Sequence, residues 1–331
     1  LANRSWGTEP RADRTAVSRT AGKVNSLKCS RTDLQRLAGG SDREGTGTEY
    51  ENDGISARES NAVSQKQAAA MLLIEFLAIG LIAGYLAGFL GIGGGFVVVP
   101  ALTLLFLQDP GTAPWAIHMA VGTSLATMLV TSLSSIVAHH RKQAIRWPLV
   151  RALTPGLLIG AVLGAFIADI LQPEILVRVV GVFAVVAGLQ LILGRKPEGE
   201  KPLPGQPGVS LVGLVIGGVS SLIGIGGGAL TGPWQLWHGI RAQNAVATSA
   251  ACGYPIAIAG SLSFVALGLG GDMPQGALGY VHLPAFAGIA VASALSAPLG
   301  AATVHRLPPL TVRRVFGVFL MLVGIRMLVG F

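Results

Sequence analysis

Gly91-Ile92-Gly93-Gly94-Gly95, followed by Pro100, and Gly224-Ile225-Gly226-Gly227-Gly228, followed by Pro233, are one string written twice at an offset of 133. Each copy sits inside an apolar run too long for a single bilayer crossing. The run 72–107 has 36 residues; as one helix it would be about 54 Å long, against a hydrocarbon core of about 30 Å. The run 209–236 has 28 residues, about 42 Å on the same rise. Both runs are therefore expected to break at their glycines, either as re-entrant hairpins or as pairs of short spans.

The duplication extends outward from the clusters. Ala120-Val121-Gly122-Thr123-Ser124 pairs with Ala245-Val246-Ala247-Thr248-Ser249. Arg178–Phe183 pairs with Arg314–Phe319, and Gly188 with Gly324. The order is kept throughout, so the chain carries an internal repeat of about 125 residues. Its expected divisions are a polar extension at 1–70, a first transmembrane repeat at 71–194, a linker at 195–208 and a second repeat at 209–331. Duplication of this kind is the usual plan of secondary transporters.

Composition agrees with a membrane class. Of 331 residues, 51% are hydrophobic and 12% charged, with 46 glycines and a mean hydropathy of +0.61. Soluble proteins carry about 25% charged residues. Six further apolar segments follow the pattern: 116–138, 148–170, 174–194, 243–270, 279–303 and 310–331. The expected fold is all-α and polytopic, with two inverted repeats. Each repeat holds a Gly-rich broken or re-entrant helical segment and three transmembrane helices. Cys29 and Cys252 are too few for a disulfide framework or a four-cysteine zinc site. Gly80, Gly84 and Gly88, four residues apart, read as helix-packing positions.

Residues 1–70 hold 11 of the 24 Lys/Arg and 9 of the 16 Asp/Glu, with no long apolar run. They read as a disordered tail, or as sequence upstream of a true start at Met71, the first methionine. The remaining charge sets orientation. If each run crossed once, the basic residues of the hydrophobic region other than Arg326 would divide 7 against 5. With a fold-back at each cluster the division becomes 11 against 2, only Arg178 and Arg326 being opposed. The positive-inside rule prefers the second arrangement. It places the loop 139–151 and the linker in the cytoplasm and both ends of the hydrophobic region outside. The net charge of +8 is thus a topology signal, and no nucleic-acid partner is expected.

A fold-back inside a membrane leaves backbone amides without helical partners, tolerated only beside a cavity or within protein. Glycine permits such a turn and lets a ligand reach the main chain. Free amides at a half-helix N-terminus attract anions through hydrogen bonds and the helix dipole. Gly91, Gly93, Gly94, Gly95, Gly224, Gly226, Gly227 and Gly228 are accordingly candidate substrate-binding residues, with helix packing as the competing reading. Thr123, Ser124, Thr248 and Ser249 join them as hydroxyl donors, the alternative being bonds back to their own helices. His118, Gln235 and Asn244 stand near segment ends and read as interfacial, and Cys252 as a packing residue. Asp169 and Arg326 fall where side chains reach the interface. No catalytic or metal constellation is apparent, so neither an enzyme nor a cofactor is expected.

The paired Gly-x-Gly-Gly-Gly clusters, each followed by proline, and the two Thr-Ser pairs resemble the sulfite exporter TauE/SafE family of membrane transporters. The likeness covers 71–331. It implies a bacterial inner-membrane permease that exports sulfite, an organosulfonate or a related small anion. Expected partners are that anion and the lipid bilayer, with a homo-oligomer left open. A non-transporting scaffold or accessory subunit, and an uptake permease, are the alternatives.

Overall fold

Ten α-helices are described, and both long apolar runs are broken where their glycines stand. In the first half α1 (Ala70–Gly88) and α2 (Gly95–Phe106) divide the run. They are followed by α3 (Ala116–Arg141), α4 (Trp147–Ile170) and α5 (Pro173–Leu193). In the second half α6 (Gln206–Ile223) and α7 (Gly228–Trp237) divide the run. They are followed by α8 (Ala242–Gly268), α9 (Leu283–Thr303) and α10 (Pro309–Val329). The antiparallel pair β1 (Ala277–Leu278) and β2 (Val281–His282) precedes α9, with Ala277 opposite His282.

The computed structural model describes residues 67, 70–88, 94–193, 202–303 and 309–330, all within the unit Lys66–Phe331. Nearly all of the 1–70 extension, Gly91, Gly93 and the linker up to Lys201 lie outside the described residues. Seven of the described helices are long and apolar enough to cross a membrane. The chain is a mostly helical, multi-pass membrane protein.

Ring contacts fix the course of the first broken run. Phe76 on α1 and Phe106 at the end of α2 both pack on His282, with ring centroids at 5.8 and 5.2 Å. The chain therefore leaves that level in α1 and returns to it in α2. Phe76 to Gly88 is about 18 Å of helix, which carries the tip to the middle of α3, where Gly95 lies against Met128.

The second broken run starts from the other end of α3. Leu203, Pro204 and Gln206, at the start of α6, line one cavity with Arg146 of the α3–α4 connection and Pro148 of α4. Asn244, just beyond α7, donates its amide N–H to the Ala144 carbonyl at 3.1 Å. So α6 departs from, and α7 returns to, the end of α3 that carries Arg141 and Lys142. The two tips meet in between. A Cβ on Gly95 would lie 2.5 Å from the Gly224 carbonyl oxygen and 3.0 Å from Ile225 Cα.

Small residues set the helix pairs around this junction. Gly80, Gly84 and Gly88 of α1 lie against the α9 backbone between Ile289 and Ala297, the packing role expected of them. Gly156, Gly160 and Gly164 of α4 lie equally close to Ser210, Leu214 and Gly218 of α6. Gly181 meets Gly324, and Gly188 meets Gly317, joining α5 to α10. Helices α3 and α8 run antiparallel through the centre, with Gly122 beside Phe264, Leu125 beside Gly260 and Ser132 beside Gly253. Without side chains at these points the backbones approach closely, which is how membrane helices gain dispersion contact in place of a hydrophobic drive.

Candidate functional site

Gly224 ends α6 in the left-handed conformation, at φ +75°. The Ile225 amide closes back on the Ser220 carbonyl at 2.9 Å. Two residues later Gly227 is the N-cap of α7, and no side chain caps the helix. Among the described residues the N–H groups of Gly226, Gly227 and Gly228 have no acceptor. Thr231 bonds instead to the Gly227 carbonyl, through both its amide and its hydroxyl. The result is a short helix whose bare, positively polarised end points out of its own turn.

That end opens into a cavity of about 110 Å³. Gly226, Gly227 and Gly228 form one wall, and Ser249, Ala250 and Gly253 of α8 form the next. The α3 face contributes Met128, Thr131, Ser132, Ser135, His139 and Lys142, recurring at helical spacing. Ala87, Gly88, Ala297 and Pro298 close the remaining side. From Met128 to Lys142 the α3 face spans about 21 Å. The cavity thus leads from the junction of the tips to the basic end of α3. Its polar lining is rich in N–H and O–H donors, with cationic Lys142 at the rim. Such a surface suits a small anion.

Ser249 has a specific geometry. The Gln235 side-chain amide donates to Ser249 Oγ at 3.1 Å. Among the described residues the Ser249 hydroxyl has no acceptor of its own, and the residue lines the cavity. Gln235 is fully buried, and among the described residues its Oε1 has no partner.

The other hydroxyls are engaged by main chain. Ser124 donates to the Gly224 carbonyl at 2.8 Å. Thr123 Oγ1 accepts the His282 amide at 2.9 Å, just ahead of α9. Thr248 Oγ1 accepts the Arg146 amide at 3.0 Å, just ahead of α4. The two threonines, equivalent in the repeat, each anchor the start of a helix in the opposite half.

Of the twelve candidate positions, the structure gathers Gly226, Gly227, Gly228 and Ser249 around one cavity. Gly94 caps α2 beside Ala83, Gly95 is wedged against the other tip, and Gly224 forms the turn. Thr123, Ser124 and Thr248 lie one layer behind. Gly91 and Gly93 lie outside the described residues.

Sequence reading passed over the α3 lining, and it read Gln235 and His118 as interfacial, whereas both are buried. The signal for the first is present: Thr131, Ser132, Ser134 and Ser135 form a hydroxyl patch just before the basic loop. Nothing in the sequence marks Gln235 as buried. At the far end of α3, His118 Nε2 meets the Ala168 carbonyl at 3.0 Å, and Tyr280 donates its O–H to Asp169 at 2.8 Å. The Tyr280 ring stacks on His118 with centroids 5.3 Å apart. Burial and the adjoining carboxylate hold the Tyr280 hydroxyl well above the usual phenol range.

Comparison with known proteins agrees with a membrane transporter. A probable membrane transporter protein of Haemophilus influenzae is 36% identical over 255 residues, covering 76% of this chain and 96% of that protein. A probable membrane transporter protein of Methanocaldococcus jannaschii is 28% identical over 265 residues, covering 78% of this chain and 96% of the relative. No solved structure matches the chain. The family described as sulfite exporter TauE/SafE matches residues 76–327. With two fold-back tips meeting at mid-helix and a match that spans both of them, the chain belongs to the sulfite exporter TauE/SafE family of membrane transporters.

Proposed function

We propose that the chain is a secondary carrier that exports a small anion of the sulfite or organosulfonate class across the bacterial inner membrane. The observation that carries the reading is the uncapped α7 N-terminus, whose free amides face a hydroxyl-lined cavity. A partial positive charge from the helix dipole and three amide donors replace much of an anion's hydration without a buried cation. Irregular backbone at membrane depth is costly unless it serves such a site, which speaks against a passive scaffold.

The two halves are read as inverted repeats. In support, exchanging the halves maps the Gly181–Gly324 contact onto Gly188–Gly317 and the Thr123–His282 bond onto Thr248–Arg146. The conformation described is open at Lys142 and covered on the opposite side by Tyr280 and His282. Rocking one half against the other would close the first opening and expose the α2 tip to the other face, the alternating access expected of such folds. The basic end of α3 is assigned to the cytoplasm and the His282 level to the periplasm.

Energy for export is assigned to the membrane potential. An anion leaving a negative interior gains about 2.3 kcal/mol per charge per 100 mV. The chain has no Gly-x-x-x-x-Gly-Lys-Ser/Thr nucleotide loop. The test is efflux of labelled sulfite and sulfoacetate from proteoliposomes at fixed pH, under potassium–valinomycin potentials of either sign. Faster efflux when the substrate-filled interior is negative supports the reading. A rate indifferent to potential but altered by a pH gradient would replace it with electroneutral proton coupling, and absence of flux for every anion would favour the scaffold.

A further inference from the structure

Met128 and Gly253 stand at equivalent places in the repeat, at the same offset of 125 that relates Ser124 to Ser249. They treat the two tips in opposite ways. The terminal methyl of Met128 is pressed against Gly95, where no Cβ would fit, and so fills the space over the α2 tip. Gly253 leaves the corresponding space over the α7 tip empty. Apart from its own stretch of helix, a Cβ at Gly253 would find only two described heavy atoms within 4 Å. These are Ser132 Oγ at 3.4 Å and the Gly227 amide nitrogen at 3.8 Å. Both are donors, and among the described residues neither has an acceptor. Ser249, one turn before Gly253 on the same face of α8, lines the same cavity. It is 1% exposed, and its hydroxyl also has no acceptor among the described residues.

We propose that the empty point over Gly253 is the seat of the anion's headgroup, and that the missing side chain of Gly253 is what admits it. The proposal rests on the carrier reading of the α7 site and adds where the headgroup sits and how many are bound. Different oxygens of one sulfite or sulfonate group take the Gly227 N–H and the Ser132 O–H, with Ser249 as the third donor. No carboxylate stands in the cavity lining, so nothing there repels an ionised oxygen, and bonds to a charged acceptor are the strong ones. Ser132 belongs to the first half, and Gly227 and Gly253 to the second. A seated headgroup therefore ties the two halves together, which is the differential contact a ligand needs to bias their rocking. The remainder of a larger sulfonate extends along α3 to Ser135, about 4.5 Å farther toward the Lys142 rim. Only the headgroup is clasped, so sulfite and sulfoacetate share one seat. Because Met128 fills the equivalent place at α2, each chain holds a single anion.

The test compares the full chain with Gly253→Ala, Ser132→Ala and Gly260→Ala. Sulfite efflux from proteoliposomes gives KM, thermal melts in detergent give Tm, and titration calorimetry gives sulfite bound per chain. The methyl of Gly253→Ala makes ordinary van der Waals contacts, and alanine favours a helix over glycine, so Tm should hold or rise. Its KM should rise about tenfold or more, the loss of one hydrogen bond to a charged group. Ser132→Ala should raise KM by a similar factor at unchanged Tm. The double variant should be little worse than either single one, since both act on one headgroup. Gly260→Ala, on the same helix, meets Leu125 Cδ1 at 2.9 Å and Ser221 Oγ at 3.0 Å; it should lower Tm and keep the wild-type KM. Wild type should bind one sulfite, displaced by sulfoacetate. A wild-type KM in Gly253→Ala or in Ser132→Ala, or two sulfites per chain, would overturn the seat and leave the carrier reading standing. Wild type that neither binds nor carries sulfite or sulfoacetate would remove that reading and the seat together.

Discussion

The Ser124 hydroxyl donates to the carbonyl of Gly224 at 2.8 Å, joining α3 of the first half to the turn of the second. Its repeat partner Ser249 instead receives an N–H from Gln235 at 3.1 Å, and among the described residues its own proton has no acceptor. Two residues equivalent in sequence thus do different work in the conformation described.

That difference predicts separable phenotypes. Ser124→Ala should cost about 1–3 kcal/mol of stability, because it leaves the Gly224 carbonyl buried without a donor. It should be read as a lowered Tm in detergent, with substrate KM little changed. Ser249→Ala should raise KM severalfold with a smaller loss of Tm. Equal Tm losses with unchanged KM in both variants would remove Ser249 from the binding site.

Gly227→Val should abolish transport while much of the protein still inserts. A Cβ there meets Ile256 Cδ1 at 2.8 Å and Thr231 Oγ1 at 3.2 Å. Those side-chain tips can give way, but the branched side chain would still cover the amides. Gly84→Val should act through folding, since its Cβ runs into the Ser293 backbone on α9. Expression level and flux per inserted molecule separate the two. Full flux in both variants would argue against anion binding at α7.

His282 gives a pH signature on the face opposite the cavity. Its Nδ1 accepts the Ala285 amide at 3.3 Å, so the capping form is neutral. Burial beneath Phe76 and Phe106 lowers its pKa from the ordinary histidine value, although the Asp109 carboxylate opposes the shift. A depressed folded-state pKa means that the unfolded chain binds the proton first. This contribution to stability is complete above about pH 6.5 and declines as pH falls toward the folded value. Thermal melts between pH 7.5 and 5.5 should show that decline, and His282→Asn should flatten it. A variant as pH-sensitive as wild type would assign the effect to other groups.

Topology can be read with reporters. A periplasmically active enzyme fused after Phe331 should be active, and a cytoplasmic one silent. A reporter inserted at Gln143 should behave the other way, because Gln143 stands in the basic loop. An active cytoplasmic fusion at Phe331 would reverse the assigned orientation.

Much of the helical layout was legible in the residues alone. Apolar run length against bilayer thickness required breaks near Gly91 and Gly224, and glycine chemistry located them, because only these stretches could lose helical bonds cheaply. The four-residue spacing of Gly80, Gly84 and Gly88 announced a close helix contact, since spacing on one helix face is a one-dimensional property. The equivalence of Thr123 with Thr248 and of Ser124 with Ser249 was likewise written in the chain. What the sequence could not carry was the pairing between halves. That Gly95 abuts Gly224, that Thr248 anchors the start of α4, and that Gln235 is buried against Ser249 depend on which helices cross and at what depth. Local periodicity says which face of a helix is apolar, but only packing across the junction decides which of two identical hydroxyls keeps a free proton for a ligand.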